Sequence, residues 1–148
     1  MPLSSVATAQ VINAVKLYCG YLRPHFYAVC QPDAADRVCT NDDAQENREI
    51  RDSFPSGHAG LALAGLGSLS LYVHRRCGAG GTPARLANAR AHRVARLWSL
   101  LAAVPVLVAL FVGASRVHDD YHHPADIVGG FMVGGVAAYF CHHTWFLV

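Results

Sequence analysis

Charge is scarce in this sequence. Only 15% of its 148 residues are Asp, Glu, Lys or Arg, against about 25% in ordinary soluble domains. Twelve basic residues against ten acidic ones leave a net charge of +2. That balance offers no basic surface for a phosphodiester backbone, and it excludes a nucleic-acid module. Internal repeats and low-complexity tracts are missing too, while 53% of the residues are hydrophobic. Disorder and coiled coil are therefore excluded. Met1–Gln10 has no basic n-region, so no cleavable signal peptide is expected. At roughly 100–200 residues per domain, the length allows one domain over residues 1–148.

The chain does have long uncharged stretches. Leu97–Ala114 runs for eighteen residues without a charge, and Ala59–Val73 and Ile127–Cys141 for fifteen each. An apolar run of about 18 residues or more is a transmembrane candidate. The expected fold is all-α, a multi-pass membrane bundle of about four helices. They cover Pro2 to about Leu22, Ser56–His74, Leu97–Ala114 with a kink at Pro105, and about Ala125 to the C-terminus. A soluble helical bundle with an arginine-rich loop is the alternative, because the second and fourth spans fall short of about 20 residues. Gly130 and Gly134 form a small-xxx-small step that lets helices approach closely.

Alternation of four spans puts the loops Arg23–Asp52 and Ser115–Pro124 on one side. The loop His74–Arg96 and both termini fall on the other. Loop His74–Arg96 holds six of the twelve basic residues and no acid, and is broken by Gly78, Gly80, Gly81 and Pro83. The positive-inside rule makes it cytosolic. The loop between Pro24 and Asp52 carries seven acids (Asp33, Asp36, Asp42, Asp43, Glu46, Glu49, Asp52) and three arginines (Arg37, Arg48, Arg51). It then faces the lumen or the exterior.

The same alternation gathers Lys16, Arg23, Pro55-Ser56-Gly57-His58, Ser115-Arg116, His122 and Asp126 at the non-cytosolic face. A phosphate-like oxyanion needs fixed positive charge on its equatorial oxygens. Lys16, Arg23 and Arg116 can supply it, the arginines through forked donors. Ser56 and Gly57 open a helix, where free amides and the helix dipole favour an anion. His122 and Asp126 stand i, i+4, so on a helix they share one face. Asp126 can then hold one imidazole nitrogen as N–H and leave the other as a nucleophile. His58 can protonate a leaving oxygen. Plainer readings stand beside these: Lys16 as a snorkelling anchor, Ser-Gly-His as a helix cap, and the His118, Asp119, Asp120, His122, His123, Asp126 cluster as a metal site. Three cations nearby favour an anion over a metal.

Lys16-x6-Arg23-Pro24, Pro55-Ser56-Gly57-His58 and Ser115-Arg116-x5-His122-x3-Asp126 resemble, in order and spacing, the three-part signature of the type 2 phosphatidic acid phosphatase superfamily. The stretches Arg23–Cys30 and Ser53–His58 look like its eukaryotic lipid phosphate phosphatase branch. The resemblance covers about Lys16 to Gly135. It implies the C-terminal part of a six-helix membrane fold, lacking the family's first two helices. It implies His122 as the nucleophile forming a phosphohistidine, Asp126 as its partner and His58 as the general acid. Lys16, Arg23, Ser56, Gly57, Ser115 and Arg116 would surround the phosphate, with no metal and no cofactor. The substrate would be a lipid phosphate such as phosphatidate; a sphingoid-base phosphate, a polyprenyl diphosphate, or a non-catalytic fragment binding lipid phosphate are the alternatives. Partners would be the membrane, and a second copy or a full-length relative. The location would be the endoplasmic reticulum, another endomembrane or the plasma membrane. Many relatives carry a basic residue where Tyr21 stands.

Five cysteines are present. On this topology Cys30 and Cys39 lie in the non-cytosolic loop, Cys19 near the end of the first helix, Cys77 in the cytosolic loop and Cys141 near the cytosolic end of the fourth helix. Only Cys30–Cys39 is therefore well placed for a disulfide, with free thiols as the alternative.

Overall fold

The computed structural model describes residues 2–33, 38–40, 43–77 and 89–146. Gly78, Gly80, Gly81, Pro83 and Arg85 of the basic connection, and Asp36, Arg37 and Asp42 of the acidic loop, lie outside them. Among the described residues there are six helices: α1 Pro2–Cys19, α2 Phe26–Cys30, α3 Ala44–Glu49, α4 Gly57–Cys77, α5 Ala89–His118 and α6 Pro124–Phe146. The all-α expectation holds, and among the described residues pairing outside helices is one isolated bridge, Pro32 to Cys39.

The four long helices match the expected ones, with shifted ends. α1 stops at Cys19 because Gly20 takes a left-handed φ of +53° while its N–H still reaches the Lys16 carbonyl. α5 is far longer than its uncharged stretch and stays helical through Pro105. The extra turns carry Arg90, Arg93 and Arg96 at one end and Ser115-Arg116 at the other. Pro124 opens α6 at the helix position where a missing N–H costs nothing. Two short helices in the acidic loop escape sequence periodicity. Asp43 caps α3, its carboxylate accepting from the amides of Gln45 and Glu46 at 2.9 and 3.0 Å. Phe26 and Cys30 of α2 bury with Ile50 in a small separate core, closed by a Cys30–Cys39 disulfide.

Central helix α4 packs against α6, α5 and α1, and α1 also touches α6. Its contact with α6 is backbone against backbone. A Cβ on Gly134 would strike the Gly60 carbonyl, and one on Gly130 the Ser56 carbonyl. Lower down, Gly67 faces Ala138 at 3.5 Å. The expected Gly130/Gly134 step is thus the α4–α6 seam. On the α1 side, the hydroxyls of Ser4, Thr8 and Ser68 are buried, with Thr8 donating to the Ser4 carbonyl at 2.7 Å and Ser68 to the Ala64 carbonyl at 2.6 Å.

Many large apolar side chains of α5 and α6 point outward instead. Leu100, Leu101, Leu107 and Phe111 of α5 and Met132, Val136 and Phe140 of α6 are exposed. Among the described residues two helices are long and apolar enough to cross a membrane: His92–His118, 27 residues, and Pro124–Thr144, 21 residues. α1 and α4, rich in Ser, Thr and Gly, do not meet that measure, so length and composition support two of the four expected spans.

Candidate active site

The loops place all three signature segments at one end of the bundle, where α1 and α5 end and α4 and α6 begin. Lys16 sits in the last turn of α1 and donates from Nζ to the Asp52 carbonyl at 2.9 Å. Chain 21–23 is pinned beside 50–53: the Arg23 amide donates to the Ile50 carbonyl and the Ser53 amide to the Tyr21 carbonyl, both at 2.8 Å. The guanidinium groups of Arg23 and Arg116 lie 5.8 and 5.7 Å from the centroid of one ring, that of Tyr121. Arg23 Nε is buried with no hydrogen-bond partner. Arg116 also pairs with Asp119 at 2.9 Å. His25 Nδ1 reaches the Asp120 carbonyl at 2.7 Å and so ties the α1–α4 loop to the α5–α6 loop.

His122 and Asp126 do meet, though not as an i, i+4 pair on a helix. His122 precedes α6, in a loop turned by left-handed Asp120 and by the Arg116 carbonyl, which accepts from the amides of Tyr121 and His122. Both residues are buried, at 3% and 0% exposure. His122 Nδ1 lies 3.6 Å from Asp126 Oδ2, beyond hydrogen-bond length. That same oxygen accepts the Ser53 hydroxyl at 2.5 Å and the His123 amide at 2.8 Å, while Oδ1 is buried without a partner. The Asp126 carbonyl accepts the Ser56 amide at 2.9 Å, locking the start of α6 to the start of α4.

The helix-opening serine therefore differs from expectation. Its amide is taken by Asp126 and does not stand free for an anion, and its hydroxyl accepts the Ala59 amide at 3.4 Å in the manner of a cap. Ser115 likewise turns to its own helix, donating to the Val112 carbonyl at 2.9 Å. Gly57 has open space where a Cβ would stand. His58 lies in the combined field of Arg116, Arg23 and Lys16. As for a metal, among the described residues no three His, Cys, Asp or Glu groups gather as an ion would need.

Burial, and then the Arg23 charge, push His122 down from 6.5 to about 4; Asp126 opposes this and Lys16 adds to it. Between about pH 4 and 6.5 the folded chain therefore holds a neutral imidazole where the unfolded chain holds a proton. Stability from this group is full above pH 6.5 and is lost as the pH falls through about 4. The stability difference between the protein and its His122→Gln variant should thus be flat above pH 6.5 and shrink below it. An NMR titration of His122 should have its midpoint nearer 4 than 6.5. A midpoint near 6.5 would contradict the burial.

Residues 2–147 match the family model described as the PAP2 superfamily. The chain belongs to the PAP2 superfamily. That superfamily is a helical membrane fold, in keeping with the all-α bundle. Lipid phosphate phosphatase 2 of Arabidopsis thaliana is 36% identical over 153 residues, which cover 97% of this chain and 48% of that protein. Phospholipid phosphatase 1 of Rattus norvegicus is 33% identical, covering 89% and 46%. Diacylglycerol pyrophosphate phosphatase 1 of Saccharomyces cerevisiae is 31% identical, covering 99% and 50%. The chain spans about half the length of the curated relatives it matches. No solved structure matches it.

Three neighbours of this PAP2 site were not singled out from sequence. They are Ser53, which holds Asp126; Tyr121, which spans the two arginines; and His25, which ties the loops. Ser53 and His25 both lie in stretches that resemble the lipid phosphate phosphatase branch, Tyr121 next to the signature histidine. Nothing in their spacing announces a role.

Proposed function

We propose that this PAP2 site hydrolyses the phosphomonoester of a membrane lipid, of the phosphatidate class, through a phosphohistidine on His122. A buried imidazole 3.6 Å from a buried carboxylate, at the end of the bundle that also holds Lys16, Arg23 and Arg116, is the observation that supports this reading. His122 attacks phosphorus through Nε2, and the bond to the lipid oxygen breaks. That oxygen takes its proton from His58. Water then attacks phosphorus and gives its proton to His58, and the P–N electron pair returns to the ring. Lys16, Arg23 and Arg116 hold the equatorial oxygens, with Ser56, Gly57 and Ser115 shaping the pocket wall. Three protein cations neutralise the phosphate in this scheme, so no metal takes part.

The 148-residue chain in detergent micelles should release phosphate from phosphatidate in EDTA, and orthovanadate should inhibit it as a mimic of five-coordinate phosphorus. Activity that EDTA abolishes and a divalent ion restores would overturn the metal-free scheme. Undiminished turnover in millimolar vanadate would count against the pocket. A panel adding lysophosphatidate, diacylglycerol pyrophosphate, sphingoid-base phosphate and polyprenyl diphosphate would fix the substrate.

The outward leucines and phenylalanines of α5 and α6 support a bilayer around the bundle. In this reading residues 1–148 form one membrane domain. The arginine-rich connection is cytosolic, and the site opens to the lumen or exterior of an endomembrane or the plasma membrane. A glycosylation acceptor placed near Asp43 should be modified and one near Gly80 should not; the reverse would invert the orientation.

A further inference from the structure

We propose that Ser53 is a positioning residue that bridges the nucleophile and its carboxylate: its hydroxyl donates to Asp126 Oδ2 and accepts the Nδ1–H of His122. The direct His122–Asp126 separation, 3.6 Å, is longer than either leg through Ser53, 3.4 Å to His122 Nδ1 and 2.5 Å to Asp126 Oδ2. Ser53 and Asp126 are fully buried and His122 nearly so, so water does not substitute for a missing partner.

The bridge has a direction, and the direction selects a tautomer. A carboxylate only accepts, so the single hydroxyl hydrogen of Ser53 goes to Asp126. The hydroxyl oxygen then has only lone pairs left for His122, and Nδ1 must carry the hydrogen. Nε2 is left with a free electron pair. The neighbouring His123 ring does not take over this role, although its Nδ1 lies 3.4 Å from the same carboxylate oxygen. Oδ2 is already occupied by Ser53 and by the His123 amide, and His123 Nδ1 has no hydrogen-bond partner.

Ser53 is itself held from three sides. Its amide donates to the Tyr21 carbonyl at 2.8 Å. The preceding Asp52 carbonyl accepts Lys16 Nζ at 2.9 Å. The following Phe54 ring closes on Gly129, where a Cβ would meet it at 2.6 Å. The hydroxyl position is thus set by α1, α6 and the loop together.

The bridge rests on the phosphohistidine reading for its consequence. When Nε2 bonds phosphorus, His122 becomes a cation that keeps its Nδ1 hydrogen. The charge stays on the ring, where the Ser53 oxygen, polarised by its own bond to Asp126, stabilises it without any proton being transferred. Both chemical steps then depend on Ser53, while substrate binding does not.

Two measurements on the full 148-residue chain in micelles test this. In ¹⁵N-histidine NMR, with His122 assigned by its loss in His122→Gln, the unsubstituted protein should show a protonated Nδ1 and an unprotonated Nε2. Ser53→Ala should mix the tautomers, and Ser53→Thr should restore the original. With phosphatidate, Ser53→Ala should lower kcat by about 10–100-fold with KM unchanged, and Ser53→Thr should recover most of it. Nε2–H as the resting tautomer of the unsubstituted protein overturns the bridge, and needs no Ser53 variant to fold. An unchanged tautomer and kcat in Ser53→Ala overturns it as well. If the chain releases no phosphate at all, the phosphatase reading fails, and the tautomer still decides for or against the bridge.

Discussion

Replacing His122 with alanine is expected to cost at least about 10³-fold in turnover and to remove any acid-labile phosphoenzyme. His123→Ala should keep activity within about tenfold of the parent. Distance to Asp126 does not separate the two, since their Nδ1 atoms stand 3.6 and 3.4 Å from Oδ2. Burial separates them: the His122 side chain is 2% exposed and that of His123 36%. The His123 ring lies 5.1 Å from that of Tyr21, which gives it a packing role at the rim. Five residues between Arg116 and His122 also fit the superfamily signature. His58→Ala should slow both steps and leave some trapped phosphohistidine. Near-normal activity in His122→Ala, with loss in His123→Ala, would shift the register by one and reassign Asp126.

Gly134→Ala should be the most destabilising single-methyl change in the bundle. A Cβ there lands on the Gly60 carbonyl, and neither backbone can retreat without opening the α4–α6 seam. The cost should be about 3 kcal/mol, the upper range for overpacking, read from SDS or thermal unfolding in micelles. Activity should fall with it, because the same seam carries the Ser56–Asp126 bond. Gly135→Ala is the control. Its Cβ would sit 3.5 Å from Leu63 Cδ2, an ordinary contact, so its stability should stay within about 0.5 kcal/mol. Equal stability of the two variants would mean the helices do not approach as described.

α5 and α6 were readable because long uncharged stretches are local signals: Leu97–Ala114 marks α5 and Ile127–Cys141 marks α6, whereas the first helix, expected to about Leu22, stops at Cys19 where Gly20 turns left-handed. The signature residues were readable for the same reason, since Lys16 to Arg23 or Arg116 to His122 are short spacings. What escaped depends on distant partners. Ser53 reaches Asp126 across 73 positions, and its role follows from where α6 docks. The Ser56 amide looked free because helix starts leave amides unpaired, yet α6 brings the Asp126 carbonyl to it. His122 and Asp126 suggested a helical face, but Pro124 begins α6 after His122, so a loop closes the pair. α2 and α3 were missed because five and six residues are too short for periodicity to register.

During synthesis from the N-terminus, Lys16, Arg23, Ser53, His58 and Arg116 are all made before His122 and Asp126 exist. A nascent chain that has completed α5 carries Lys16, Arg23, His58 and Arg116 but neither His122 nor Asp126, the proposed nucleophile and its carboxylate, and its Ser53 hydroxyl lacks the Asp126 oxygen it donates to. In the proposed mechanism catalytic competence would therefore arrive in one step, when α6 seats Gly130 and Gly134 on α4.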